Sequence, residues 1–151
     1  MDLHKGILKF NEVEIMPLMT QDAFEALFPK GFFRIIKSAG IPDTVLLVNI
    51  GSIKCDDMLA RVTVYFYKSI IRMIEIICID DRFRNPVNDW SDEKYELKRD
   101  FHNKWLFQRL GVPTTVNEWK TTYSFDWGTI SSESNPRDST LEIVVVYGEL
   151  R

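Results

Sequence analysis

SDEKYELKRDFHNKWLFQRLGVPTTVNEWKTTYSFDWGTISSESNPRDSTLEIVVVY, residues 91–147, is the stretch whose reading decides the fold class. Its first third reads as a helix. Ser91 is a natural N-cap, Asp92, Glu93 and Glu96 crowd the opening turns, and Lys104 and Arg109 lie near the end, as the helix dipole favours. Leu97, Phe101 and Trp105 recur at i, i+4 and i+8, with Leu106, Phe107 and Leu110 widening the apolar surface. Gly111 suits the left-handed position after a helix end, and Pro113 bars continuation. Tyr123, Phe125 and Trp127 then alternate onto one face of a strand, and Leu141, Ile143, Val145 and Tyr147 onto one face of its partner. Between them, the Ser-rich run Ser131–Ser139, with Asn135-Pro136-Arg137-Asp138, reads as an exposed loop.

Upstream the pattern is mostly extended. Ile7 to Met16 reads as a short strand pair turning at Asn11-Glu12 and stopped by Pro17. Thr20 caps a helix through Phe28, where Phe24, Leu27 and Phe28 share a face and Pro29 and Gly31 end it. Strands are expected at Phe32–Lys37 and Thr44–Ile50, joined by a turn over Ser38–Asp43, with Gly51–Asp57 a polar loop. Arg61 to Tyr67 alternates cleanly, with Val62, Val64 and Phe66 on one side. Lys68-Ser69 leads tightly into Ile70–Ile79, apolar on both faces and therefore central. Both halves run helix, helix stop, antiparallel strands, so Leu27-Phe28-Pro29 answers Leu110-Gly111-Val112-Pro113 as a weak internal echo. No βαβ alternation occurs. The expected fold is α+β: one domain over residues 1–151, a mostly antiparallel sheet of about six to eight strands, and two helices packed on a face.

Composition narrows the function classes. The chain has 151 residues, 45% hydrophobic, 27% charged and 13% aromatic, enough for a sizeable core. The formal charge is −3, and Lys and Arg are scattered among acids, which argues against nucleic-acid binding and weakly favours a basic partner. Met1 to Lys5 lacks a signal-peptide apolar region, and Ile70–Ile79, broken by Arg72 and Glu75, is too short to span a bilayer. A cytoplasmic location is expected. Cys55 and Cys78 stand alone; free thiols are the expectation over a disulfide, with Cys55 the more exposed.

Residues able to do chemistry are few. His102 is the sole internal histidine, and no neighbouring motif supplies an orienting partner or a nucleophile. The pairs Asp56-Asp57 and Asp80-Asp81 each offer a shared site one carboxylate, because adjacent side chains on extended chain diverge. Phosphate-binding loops and a GxSxG elbow are absent, and no metal or cofactor is expected. The set Tyr123, Phe125 and Trp127 suits core packing better than base stacking, since no basic residues interleave with it. Surface residues suited to a protein partner are Trp90, Trp119, Arg137 and the acids Asp80, Asp81, Asp89, Asp92, Glu93 and Glu96. The same residues also serve as loop anchors and a solvated helix start.

WSDEKYELKRDFHNKWLFQRLGVP followed by YSFDWGTISSESNPRDSTLEIVVVY resembles a group of small bacterial immunity-type proteins of polymorphic and contact-dependent toxin systems. The resemblance rests on His102, Trp105, Leu106, Leu110, Gly111, Pro113, Trp127, Gly128, Ser132, Pro136, Arg137 and Tyr147, over about sixty residues. The loop departs from the pattern with Asn135-Pro136 where Asp-Pro is more typical. It implies a cytoplasmic protein that binds and blocks one cognate toxin, without catalysis of its own. It transfers no binding residues, because immunity surfaces are particular to each toxin. Two other classes stay open: a small hydrolase built from His102 and loop carboxylates, and a small-ligand binder with an apolar pocket between sheet and helices.

Overall fold

The computed structural model describes residues 1–29, 31–36, 40–135 and 137–148. Lys37, the Ser38-Ala39 part of the expected turn and Pro136 lie outside the described residues. The elements are β1 (Leu8–Phe10), β2 (Val13–Ile15), α1 (Gln21–Leu27), β3 (Arg34–Ile36), β4 (Val45–Cys55), β5 (Met58–Tyr67) and β6 (Ile70–Cys78). After two 3-10 turns come α2 (Asp92–Leu110), β7 (Thr115–Val116), β8 (Lys120–Phe125), β9 (Gly128–Asn135) and β10 (Thr140–Tyr147). The strands form one antiparallel, 10-stranded sheet in the order β2-β1-β4-β5-β6-β10-β9-β8-β7, with β3 also paired to β4. The α+β class is as the patterning indicates; the sheet is larger than expected.

The topology has an internal symmetry of order. α1 precedes the meander β3-β4-β5-β6, α2 precedes β7-β8-β9-β10, and the two meanders join where β6 pairs with β10. That join runs from Met73–Val146 to Ile76–Ile143, deep in the apolar run. Lys68 and Ser69 both take positive φ, 48° and 62°, the two-residue turn whose twist matches the flanking strands, so β5 and β6 form a tight hairpin.

Directly paired residues share a face of a sheet. Val62 and Val64 of β5, Ile74 and Ile76 of β6, Ile143 and Val145 of β10 and Ile130 of β9 therefore form one continuous apolar face, all 1% exposed or less. Both helices cover it. Thr20 Oγ1 accepts the Ala23 N–H at 3.2 Å, fixing the start of α1, and Phe24 then packs among Phe28, Phe33 and Phe66. Longer α2 lies across β9 and β10. The chain start is held against the far end: Trp127 Nε1–H donates to the His4 carbonyl at 2.8 Å and Tyr147 O–H to that of Gly6 at 2.9 Å. Gly128 is obligatory at that corner. A Cβ there would lie 1.9 Å from the Val146 carbonyl oxygen.

Several expectations are corrected. Gly51–Asp57 is not a loop: β4 runs to Cys55 after a register shift between Asn49 and Gly51, burying Ile53 and Cys55 while Ser52 and Lys54 face water. Alternation was present there, disguised by polar outward residues. Most of the Ser131–Ser139 run is strand as well. Ser131, Ser132 and Ser134 are buried in β9, and Ser131 Oγ–H donates to Glu133 at 2.6 Å. Cys55 is fully buried, and burial pushes its thiol up to about 12; Cys78 is a second buried free thiol. Gly111 has φ 78° and ψ −137°, outside the left-handed helical region but still glycine territory, and its N–H bonds to Phe107 O.

The α2 stripe is rotated from expectation. Leu97 and Phe107 are more than half exposed, whereas His102, Trp105 and Leu106 are buried. Among the described residues no helix is long and apolar enough to cross a membrane.

Candidate protein-interaction site

A surface tied down by several hydrogen bonds surrounds the first half of α2. Asn85 clamps the N-cap residue from both sides: its Oδ1 accepts the Ser91 N–H and its Nδ2–H donates to the Ser91 carbonyl, each at 2.7 Å. Ser91 Oγ in turn accepts the Lys94 N–H at 3.3 Å, so the helix start is fixed to the preceding connection. Trp90, 40% exposed, donates its indole N–H to Asp92 at 2.8 Å and leans on Tyr95 with ring centroids 5.5 Å apart. A half-exposed tryptophan held this firmly loses little side-chain freedom on contacting a partner, which is how interface anchors work.

Beside Trp90 lies a cleft of about 230 Å³, just past the end of the β6–β10 ladder. Arg61, Lys94 and Lys98 bring three cations to its walls, with Phe83, Trp90 and Tyr95 as aromatic surface and Asn85 at the helix start. Burial holds the Lys98 ammonium below its ordinary value, and the Arg61 charge adds to the depression. Sequence spacing alone does not show the cation cluster or the cleft. The only local signal was Lys94 and Lys98 at i, i+4, flanking the capped start of a helix.

The acids of the candidate set are divided by the structure. Asp80 is committed internally: it caps the Arg82 N–H at 3.0 Å and takes two guanidinium bonds from Arg82 at 2.8 and 2.9 Å, which hold its carboxyl below the usual range. Glu96 pairs with Arg99 one turn along the helix. Asp81, Asp89 and Glu93 are exposed, and Asp89 and Asp92, which flank Trp90 in the chain, give it an acidic margin. Arg137 sits on the short β9–β10 turn, where Asn135 Oδ1 accepts its N–H at 3.0 Å. That turn's Ser139 and Thr140 line the same cleft, so Arg137 is brought to the Trp90 side.

Trp119 is placed elsewhere. It lines a second cleft of about 290 Å³ with Arg99, Asp100 and Asn103, on the opposite flank of α2. Its carbonyl accepts both the N–H and the hydroxyl of Ser134, at 2.8 and 3.2 Å, which locks the backbone and leaves the indole 45% exposed. One long helix thus separates the two tryptophans.

His102 lies at the centre of the buried face of α2. Its ring is 0% exposed, and neither nitrogen finds a hydrogen-bond partner among the described residues. Burial, reinforced by the Lys98 charge, lowers its pKa to about 3, so the imidazole is neutral at physiological pH. The carboxylates of Asp56 and Asp57 are directed to another task. Asp57 Oδ1 accepts Trp105 Nε1–H at 2.8 Å, and Arg109 bridges both acids at 2.6 and 2.7 Å while lying 4.0 Å over the Trp105 ring. This knot ties the β4–β5 turn to the end of α2.

The sheet face away from the helices carries a different chemistry. Cross-strand partners place Thr63, Glu75, Val144 and Ser131 in one row, Tyr65, Met73, Val146 and Thr129 in a second, and Glu142, Glu133 and Lys120 in a third. Tyr65 O–H donates to Glu75 at 2.7 Å. Burial, with Glu75 and Glu133 nearby, raises the Glu142 carboxyl above its ordinary value.

No protein-family model matches the chain, and no curated protein matches it. Among solved structures it is similar to a chain of Rhs1-CT in complex with cognate immunity protein RhsI1. The TM-score is 0.52 at 15% identity, covering 97% of this chain and 85% of that chain. At that identity the likeness is one of fold.

Proposed function

We propose that this protein is an immunity-type inhibitor, which neutralises a cognate bacterial toxin in the cytoplasm by binding it directly. The observation that carries the reading is the fold likeness over 97% of the chain to a chain of a toxin–immunity complex. The resemblance of residues 91–147 to immunity-type proteins points the same way. On this reading the contact surface is the start of α2, where Trp90 is the anchor, the acids Asp81, Asp89, Asp92 and Glu93 steer a basic toxin, and Arg137 closes the margin. Asp80 and Glu96 contribute less, because each already has an internal cation.

The hydrolase reading has no comparable support. A general base must come within hydrogen-bond reach of the proton it takes, and His102 is sealed beneath α2 while Asp56 and Asp57 are engaged by Arg109 and Trp105. The clefts described above flank α2 and carry charged walls, which differs from an apolar pocket between sheet and helices.

A tagged pull-down from the native organism tests the proposal, followed by expression of any stoichiometric partner with and without this chain. A partner toxic alone and harmless in the complex is the expected result. A harmless partner, or none, overturns the inhibitor reading. Trp90→Ala is expected to weaken the complex by about 30-fold, the scale of an interface hot spot (about 2 kcal/mol).

A further inference from the structure

We infer that the cleft at the β6–β10 fork is a cation-lined socket for one carboxylate side chain, an Asp or Glu presented on the toxin's surface. The inference deepens the immunity reading and rests on it. Its first ground is the local charge. The chain as a whole is −3, yet the cleft walls carry Arg61, Lys94 and Lys98 and no acidic residue. None of the three forms an ion pair with a described residue, although the same chain pairs Lys5, Lys9, Arg82, Arg99, Arg109 and Lys120. Three like charges facing one small space repel each other; Glu142 acts on Lys98 from the adjoining strand but by less than Arg61 opposes it, and an entering anion relieves the remainder.

Size and surroundings select the anion. About 230 Å³ is below the ~300–1,000 Å³ of small-molecule sites. Trp90, Tyr95 and Phe83 supply the apolar wall against which the methylene stem of an acidic side chain packs. Asp92, which accepts the Trp90 indole N–H, and exposed Asp89 next to Trp90 set negative charge at the cleft edge and repel a broadly anionic partner such as a nucleic-acid backbone. An isolated carboxylate within a neutral or basic surface satisfies both the cationic floor and the acidic margin. The Asn85 clamp on Ser91 holds the helix bearing Lys94 and Lys98 before any partner arrives, so little ordering is needed on contact.

The test measures affinity of the full chain for its captured toxin by calorimetry, comparing Lys98→Gln, Lys98→Arg and Lys104→Gln. Lys104 lies exposed on the outer side of α2 and controls for net charge. Lys98→Gln is expected to weaken binding by about 30-fold or more, the loss typical of removing one member of a buried charge pair, with Lys98→Arg restoring most of it. Lys104→Gln should change affinity less than about 3-fold. The melting temperature of Lys98→Gln should be unchanged or higher, because a desolvated cation has been removed; a fall would mark Lys98 as structural and overturn the inference. Unchanged affinity in Lys98→Gln overturns the socket and leaves the inhibitor reading standing, whereas failure to capture any toxin overturns both. Spectra of the free chain titrated with inorganic phosphate at constant ionic strength separate the remaining source of the same chemistry. A saturable shift of the Trp90 indole N–H at millimolar phosphate, lost in Lys98→Gln, reassigns the cleft to a free phosphorylated ligand and overturns the partner carboxylate.

Discussion

The two halves of this molecule follow one plan and put it to different use. In each, a helix leads into a four-strand antiparallel meander, and the halves join through their last strands, β6 and β10. The first half is sealed with hydrocarbon. Its helix has seven residues and one buried anchor, Phe24, set in a cluster of four phenylalanines. The second half spends a 19-residue helix on a mixed face in which His102 is fully buried and Lys98 partly so, with a cleft on either flank. A short apolar plug stabilises and presents nothing, whereas a long helix with polar groups on its inner side leaves clefts and charges at its edges. The surface proposed for the toxin lies there for that reason.

Four substitutions break or sharpen this contrast. Phe24→Ala empties the centre of the aromatic cluster and is expected to cost about 3–5 kcal/mol in urea unfolding, the largest effect. His102→Leu tests the opposite half and should raise stability by roughly 1–2 kcal/mol at pH 7, because it removes two buried nitrogens without partners. Its pH dependence is equally diagnostic. In the unfolded chain the imidazole takes a proton below about 6.5, but in the folded chain only near pH 3. The stability held by the neutral ring is whole above the upper value and falls as pH drops through that window, at ~1.4 kcal/mol per pH unit. Unfolding measured between pH 6.5 and 4 should show a shallower loss for His102→Leu than for the native chain.

Asp57→Ala leaves the Trp105 indole N–H without its acceptor and removes one of two carboxylates from Arg109, for an expected cost of about 1 kcal/mol. Trp119→Ala should change stability by less than about 0.5 kcal/mol, since its backbone rather than its indole makes the bonds. If toxin binding is also unchanged in Trp119→Ala, the contact surface is confined to the Trp90 flank; a loss beyond about tenfold would extend it across the helix.

Much of the architecture is legible from local pattern. Ser91 and Thr20 as caps, the hairpin at Lys68-Ser69, the alternation of Val62, Val64 and Phe66, and the central place of Ile70–Ile79 all follow from period and turn chemistry. The pattern is masked where polar residues occupy regular structure. Ser52 and Lys54 make β4 look finished at Ile50, and the serines of β9 resemble a loop, because serine carries turn propensity while its small side chain also fits a buried strand. In α2 the apolar period points to Leu97, Phe101 and Trp105 with Leu106 beside them; Trp105 and Leu106 are buried, but Leu97 is half exposed and the buried line passes through His102. Apolar spacing reports the core face only when that face is apolar throughout.

The candidate site divides in the same way. Trp90, the margin acids and the helix start are visible in the sequence, where they suit a protein contact and a loop-anchored, solvated helix start alike. That Trp119 lies on the other flank, that Asp80 is spoken for by Arg82, and that Arg61 meets Lys94 and Lys98 across a cleft are tertiary facts. The sequence by itself determined the α+β class, the helix boundaries and the alternating strands, because caps, turns and hydrophobic period act over a few residues. Only the tertiary structure decided which side chains share a cavity and which charges find partners, because those depend on strands 30 or more residues apart being brought side by side, here β6 and β10.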